Sequence, residues 1–319
     1  MSELINLLTT QTGLSKLNVT QIISNAPNRY KTYRIPKRRG GSRIISQPAR
    51  ELKSLQRILL AEILSKLPVH RSATAYRPGV SIKQNAEFHA ENGPIMKFDF
   101  EDFFPSIVAK DWVIYCRQKN VFADPNDIEI STNLLFHRQR NGRALKLAIG
   151  APSSPCLSNV LMYEFDEKLC ERVGKDKVTY SRYADDLTFS AKRTGFLTRV
   201  EHMLRQTIRE SANPRLKLNE SKTVVATRKY KRFVTGLILT NDNKISLGHN
   251  RKRQIQAAVH HYLLGKMEVK EQLRLAGLLA FANDVEPDFL IRLKVKYGID
   301  AFQRLKSVTA PSRFSTPHE

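Results

Sequence analysis

Val178-Thr179-Tyr180-Ser181-Arg182-Tyr183-Ala184-Asp185-Asp186-Leu187-Thr188-Phe189-Ser190 sets two arms on either side of an acidic pair. Its arms are rich in β-branched and aromatic residues, and Leu187 and Phe189 alternate with Thr188 and Ser190, the period of a half-buried strand. The segment therefore reads as a hairpin with Asp185-Asp186 at its tip. Asp pairs are common in solvated turns, so this pair alone is a weak signal. A third acid, Asp99, ends the apolar strand Ile95-Met96-Lys97-Phe98. Carboxylates at strand ends and turns can converge on one point while their backbones stay rigid. Such convergence is costly for like charges unless divalent cations neutralise them. Two hard cations about 3.5–4 Å apart can clamp the attacking and leaving oxygens of phosphoryl transfer.

Outward from this centre, residues 1–26 carry Leu4, Leu7, Leu8, Leu14, Leu17 and Ile22 at helical spacing. Next, Arg29, Lys31, Arg34, Lys37, Arg38, Arg39 and Arg43 surround Gly40-Gly41, and alternation on either side predicts two short strands joined at the glycines. Leu52, Leu55, Leu59 and Ile63 predict a helix to Leu67, ended by Pro68. Residues 107–140 read as mainly helical, and Ala151–Leu169 as a proline-punctuated loop followed by a helix. Phe233–Leu247 reads as a second hairpin, turning at Asn241-Asp242-Asn243. From Asn250 the chain reads as helical, with breaks at Gly265, Asp284–Pro287 and Gly298. The expected class is α+β.

The 319 residues hold 53 Lys and Arg against 30 Asp and Glu, a net charge of +23. This charge is spread along the chain and not held in a tail, which favours a nucleic-acid partner over a merely solvated face or a lipid surface. Cys116, Cys156 and Cys170 are odd in number and lack C-x-x-C spacing, which argues against a disulfide framework or a zinc site. No apolar run approaches the ~18 residues of a membrane span and no signal-peptide core is visible, so a cytoplasmic protein is expected.

Phe98-Asp99-Phe100-Glu101-Asp102-Phe103-Phe104-Pro105-Ser106, Gly150-Ala151-Pro152-Ser153-Ser154-Pro155 and Tyr183-Ala184-Asp185-Asp186 resemble, in order, the palm motifs of reverse transcriptases. Leu218-Asn219-Glu220-Ser221-Lys222-Thr223 resembles the next motif and Val234-Thr235-Gly236 the one after it; Arg43–Pro48 with Leu52-Lys53 and Gln56 resembles the first finger motif. The resemblance covers about residues 30–247. It implies a right-hand polymerase, with a helical lead-in over 1–26, fingers and palm (an antiparallel sheet with helices) over 27–247, and a short helical RNA-binding thumb over 248–319.

The resemblance also implies roles. Asp99 and Asp185 would bind two Mg²⁺ ions (Mn²⁺ as a substitute), with the Phe100 carbonyl and Asp186 as further ligands. Arg43 and Lys53 would meet the dNTP triphosphate. Phe104 would exclude a ribose 2′-hydroxyl, against the plain reading of Phe103 and Phe104 as core. Lys222 would protonate the leaving pyrophosphate. Gly150 and Ala151 would lie against nucleotide and template, small residues permitting close approach. Ile149 departs from the glutamine that many relatives carry there, so that side-chain contact is not carried over. Val234, Thr235 and Gly236 would grip the primer. Arg251, Lys252 and Arg253 would hold duplex and RNA, with His260, His261 and Tyr262 interleaved.

Asn85-Ala86-Glu87-Phe88-His89 and the Val234-Thr235-Gly236 triplet resemble elements of the bacterial retron group, and the short stretch after 247 agrees, leaving no room for a maturase domain. Asn85 and His89 share a helix face, where they would either contact RNA or brace the palm. Membership would imply a cognate structured non-coding RNA, priming from an internal 2′-hydroxyl, a branched single-stranded DNA product (msDNA), and an effector protein in anti-phage defence. A reverse transcriptase of abortive-infection or intron origin, or an RNA-binding scaffold without catalysis, are the competing expectations. Oligomeric state stays open.

Overall fold

The computed structural model describes residues 2–37, 40–139, 142 and 144–308. Arg38 and Arg39 of the basic stretch, Arg140 and residues 309–319 lie outside them. The chain forms two compact units, residues 1–80 with 93–225, and residues 81–92 with 226–319.

The first unit begins with helices Glu3–Thr12 and Lys16–Asn25. Each opens on a serine cap, Ser2 accepting from the Ile5 amide at 3.0 Å and Ser15 from the Asn18 amide at 3.2 Å. Gly13, at φ 68°, stops the first helix in the left-handed cap that glycine favours. Strands β1 (Tyr30–Pro36) and β2 (Ser42–Pro48) pair antiparallel, with Tyr33 opposite Ile45. Helix Arg50–Glu62 buries Leu52, Leu55 and Leu59. It ends before the expected Leu67, where Ile63 leaves helical dihedrals at φ −124°; a 3-10 turn at Leu64–Lys66 follows, and Leu67, the residue before Pro68, is extended.

Strand β3 (Ile95–Asp99) follows. The 107–140 segment forms helices Ala109–Lys119 and Pro125–Leu135, then leaves helical structure at β4 (His137–Arg138), which pairs with β5 (Leu145–Lys146). The expected helix before Leu169 is two helices, Ser154–Leu161 and Tyr163–Lys175. Strands β6 (Thr179–Tyr183), β7 (Asp186–Ser190) and β8 (Val224–Ala226) complete a four-stranded sheet of order β6-β7-β3-β8. Phe98, Tyr180 and Phe189 pack on one face, Phe189 edge-on to Phe98 at 5.8 Å and stacked on Tyr180 at 5.0 Å. Leu157, Phe165, Leu169 and Leu204 from the surrounding helices close that core.

The second unit holds helix Ile82–Ala90 and a meander of β9 (Arg232–Val234), β10 (Leu237–Leu239) and β11 (Ile245–Ser246). The expected single hairpin therefore has an extra reversal. Thr235 and Gly236 both have positive φ, 47° and 80°, as a two-residue hairpin turn of matching twist requires. The Thr235 hydroxyl donates to the Ile82 carbonyl at 3.0 Å, fixing the turn on the helix. Helices His249–Leu263, Val269–Val285, Pro287–Tyr297 and Ile299–Lys306 follow, broken at Gly265, Glu286-Pro287 and Gly298. No helix among the described residues is long and apolar enough to cross a membrane.

Candidate active site

The hairpin and the lone acid meet because β3 lies beside β7. Their register sets Asp99 opposite Asp186, and on the other side Tyr183 pairs with Asp186. Cross-strand partners have Cβ atoms about 5 Å apart. Ala184 and Asp185 form the turn, Ala184 at φ 58°. The Phe100 amide donates to the Asp185 carbonyl at 3.1 Å, and the Asn219 amide to the Asp99 carbonyl at 2.8 Å. Three carboxylates are thereby gathered by backbone bonds.

The crowding shows in their protonation. Burial pushes the Asp186 carboxyl up to about 6, with the Asp185 and Asp99 charges adding to it and Lys97 opposing. Asp185 is raised as well, first by burial and then by Asp99. One cation already answers this charge: Lys222 Nζ donates to Asp99 Oδ1 at 2.7 Å, Asp99 being 8% and Lys222 53% exposed. Among the described residues no three His, Cys, Asp or Glu side chains form a ready-made metal cage. Mg²⁺ does not require one, since it commonly takes one or two carboxylates and completes its shell with water and substrate phosphates. Like-charged carboxylates that attract an ammonium ion fit such a cation.

Around the acids opens a cleft of about 590 Å³, wide enough for a nucleotide. Arg43, Phe100, Phe104, Lys222, Asp99 and Asp185 line it. Lys53 does not; it sits half-buried on helix Arg50–Glu62. Asp102, in the left-handed region at φ 43°, opens a short helical turn that separates the two candidate aromatics. Phe103 is buried and stacked on Phe100 at 5.8 Å, whereas Phe104 is half-buried and faces Tyr76 at 6.3 Å. Gly150 has a reason of its own: a Cβ there would sit 3.0 Å from the Ser46 carbonyl oxygen and 3.1 Å from Ile45 Cγ2, at φ 123°. The Ile149 carbonyl accepts from the Ser46 amide at 2.8 Å, so this segment is stitched to β2, and Ile149 itself lines the cleft. Gly150 and Ala151 are not among the lining residues, and Ala151 is buried.

The chain matches the family described as "Reverse transcriptase (RNA-dependent DNA polymerase)" over residues 35–257. It belongs to the reverse transcriptase family. Retron Ec83 reverse transcriptase of Escherichia coli is 37% identical over 285 residues, covering 89% of this chain and 91% of that protein. Retron Ec73 reverse transcriptase of Escherichia coli is 32% identical over 315 residues, covering 94% and 96%. Among solved structures, telomerase from Candida albicans in complex with a fragment of telomeric RNA aligns at a TM-score of 0.50 and 14% identity, covering 87% of this chain and 61% of that one; the likeness is one of fold. The protein is thus a retron-type reverse transcriptase, an RNA-directed DNA polymerase, from a family that generally uses divalent metal ions.

The remaining candidates of this reverse transcriptase lie in its second unit. Asn85 and His89, on helix Ile82–Ala90, are buried at 1% and 0% exposure. Val234 is likewise core, while Gly236 at the tip of the turn is exposed. Lys252 is tied inward, its Nζ 2.5 Å from Glu286 Oε1 and above the Phe289 ring. Arg251 lies over Phe281 at 5.4 Å, and Arg253 is exposed. Sequence reasoning missed Tyr76, which lines the cleft at φ 60°. Burial raises its hydroxyl pKa, with Asp185 adding to the shift. A tyrosine in Ala75-Tyr76-Arg77 carries no local signal of such a role.

Proposed function

We propose that this reverse transcriptase copies part of a structured RNA encoded beside it into single-stranded DNA (msDNA), primed from an RNA 2′-hydroxyl to which the product stays branched. The observation that carries the reading is the pairing of Asp99 with Asp186 beside the Ala184-Asp185 turn, on a cleft that also holds Arg43, Phe104 and Lys222. Two Mg²⁺ ions, or Mn²⁺ in their place, would supply charge neutralisation at the phosphates and a more acidic attacking hydroxyl. Asp99 and Asp185 would hold them, with Asp186 and the Phe100 carbonyl further out. Arg43 offers a guanidinium fork for the triphosphate. Phe104 closes the space beneath the sugar and selects dNTPs. Lys222 holds a proton at Nζ for the departing pyrophosphate and exchanges its Asp99 partner for that oxygen. Gly236 and Arg253 are exposed positions of the second unit at which primer and RNA phosphates would be met.

In the cell the complex would act in the cytoplasm with an effector protein, in anti-phage defence. Sequencing the nucleic acid that copurifies with the protein is the test. A single branched RNA–DNA species that disappears in an Asp185→Asn, Asp186→Asn variant is expected. A heterogeneous RNA population with no branched DNA would overturn the retron-specific reaction.

A further inference from the structure

Behind the catalytic turn lies an ionic cluster with no solvent contact. Arg182 and Asp166 are both 0% exposed. The guanidinium spends every nitrogen: Nε donates to both Asp166 oxygens at 2.9 and 3.1 Å, Nη2 to Asp166 Oδ2 at 2.6 Å, and Nη1 to Asn159 Oδ1 and to the Ala184 carbonyl, each at 3.1 Å. The Tyr180 hydroxyl donates to Asp166 Oδ1 at 2.8 Å, holding the carboxylate from its other side.

A buried ion pair is weak as a source of stability, because well-packed apolar residues of similar volume often serve as well or better. What distinguishes this pair is the group it reaches. The Ala184 carbonyl belongs to a non-glycine residue in the left-handed region, φ 58°, immediately before Asp185. Conformations of that kind persist where the surroundings over-determine them. Two donors do so here, Arg182 on the Ala184 carbonyl and the Phe100 amide on the Asp185 carbonyl. Without the first, the Ala184 carbonyl loses its side-chain donor, and the Tyr183–Asp186 strand pairing and the Phe100 bond hold the ends of the turn but not that peptide.

The same residue reaches the segment that leads to Tyr76. The Arg182 amide donates to the Ser72 carbonyl at 2.7 Å and its carbonyl accepts from the Thr74 amide at 2.8 Å. Asn159 Nδ2 donates to the Ala75 carbonyl at 2.8 Å, one residue before Tyr76. Arg182 thus joins the turn that carries Asp185 to the segment that carries Tyr76, directly through its backbone and, from its guanidinium, by way of Asn159.

We propose that Arg182 is a positioning residue: its guanidinium, aimed by Asp166, Tyr180 and Asn159, fixes the Ala184 peptide and thereby the direction of the Asp185 and Asp186 carboxylates. This rests on the reading of Asp99, Asp185 and Asp186 as the catalytic centre. A lysine can satisfy Asp166 with its single ammonium but cannot span to Ala184 and Asn159 as well.

The experiment is Arg182→Lys in the full chain, with three readouts: steady-state dNTP incorporation, thermal melting, and Mn²⁺ binding to the free protein by electron paramagnetic resonance. Misplacement of reacting groups by an ångström costs on the order of 10²-fold in rate. The expected result is a kcat lower by about 10–100-fold, a dNTP KM within about twofold of wild type, a melting temperature within a few degrees, and Mn²⁺ affinity weakened about 3–10-fold. An Arg182→Met, Asp166→Leu variant removes both charges but takes their partner from the Tyr180 hydroxyl, Asn159 Oδ1 and the Ala184 carbonyl, so it should melt below wild type yet show the same kcat loss per folded molecule. Wild-type kcat and Mn²⁺ affinity in Arg182→Lys would overturn the proposal, as would a kcat loss no larger than the fall in folded fraction. Asp185→Asn run alongside separates the two levels. If that variant keeps full incorporation the catalytic centre itself is misassigned, whereas its failure together with an unaffected Arg182→Lys removes only the bracket.

Discussion

The strained charge balance at Asp186 makes a prediction whose sign is unusual for a catalytic substitution: Asp186→Asn should stabilise the metal-free enzyme. In the folded protein this carboxyl stands at about 6 against its ordinary value of 3.8. The folded state therefore holds on to a proton that the unfolded chain has released. Stability linked to this group is complete below pH 3.8, falls as pH rises through about 6, and stays low above it. At 1.36 kcal/mol per pH unit the full distance corresponds to ~3 kcal/mol, and solvent screening of a partly exposed carboxyl trims this to about 1–2 kcal/mol. An asparagine keeps the size and the hydrogen bond toward Asp99 while removing the charge. For a unit of this size, that energy raises the melting temperature by about 2–8 °C. Differential scanning calorimetry in EDTA should show the gain at pH 8 and its disappearance near pH 4. With saturating Mg²⁺ the order should shrink or reverse, because the cation stabilises only the folded protein and binds the intact acid set more tightly. Equal or lower stability of Asp186→Asn at pH 8 in EDTA would refute the electrostatic account of the site.

Two further outcomes follow from the cleft. Phe104→Ala should raise ribonucleotide incorporation about 10–100-fold in single-nucleotide extension assays while leaving dNTP use largely intact; no gain would remove Phe104 from sugar selection. Gly150→Ala forces an L residue to φ 123° with its Cβ 3.0 Å from the Ser46 carbonyl oxygen, which backbone strain alone prices at about 1–3 kcal/mol. It should lower the melting temperature by several degrees and raise the dNTP KM through displacement of β2, and an unchanged melting curve would contradict the packing.

What the sequence made legible was whatever rests on local period and motif order. Asp99 at a strand end and Asp185-Asp186 at a hairpin tip were readable because two-residue periodicity and turn chemistry act over a few residues. Thr235-Gly236 was not read as a reversal, since threonine rarely occupies the left-handed region and the bond that helps hold it there runs to the Ile82 carbonyl, distant in sequence. The site's walls were legible only in part for the same reason. Arg43 and Phe104 fall in motifs, whereas Tyr76 reaches the cleft through a parallel bridge between Ala73 and Arg182 that no window of sequence contains.

The net charge of +23 carries a related lesson about what composition can say. It pointed to nucleic acid, and membership of the family agrees. Yet the basic residues are not one population. Arg182 is spent on Asp166, Asn159 and Ala184; Arg232, 1% exposed, donates to the carbonyls of Asn92, Leu239 and Thr240; Lys252 is paired with Glu286. Arg43 and Arg253, by contrast, are exposed. Phosphate contacts govern the salt dependence of binding, so only the second population can contribute to it. A basic residue three positions before an acid pair reads, in sequence, like any other member of a cationic surface. In the fold its burial and its reach to the Ala184 carbonyl make it part of the machinery that aims the acids, and charge counting alone could not have separated the two.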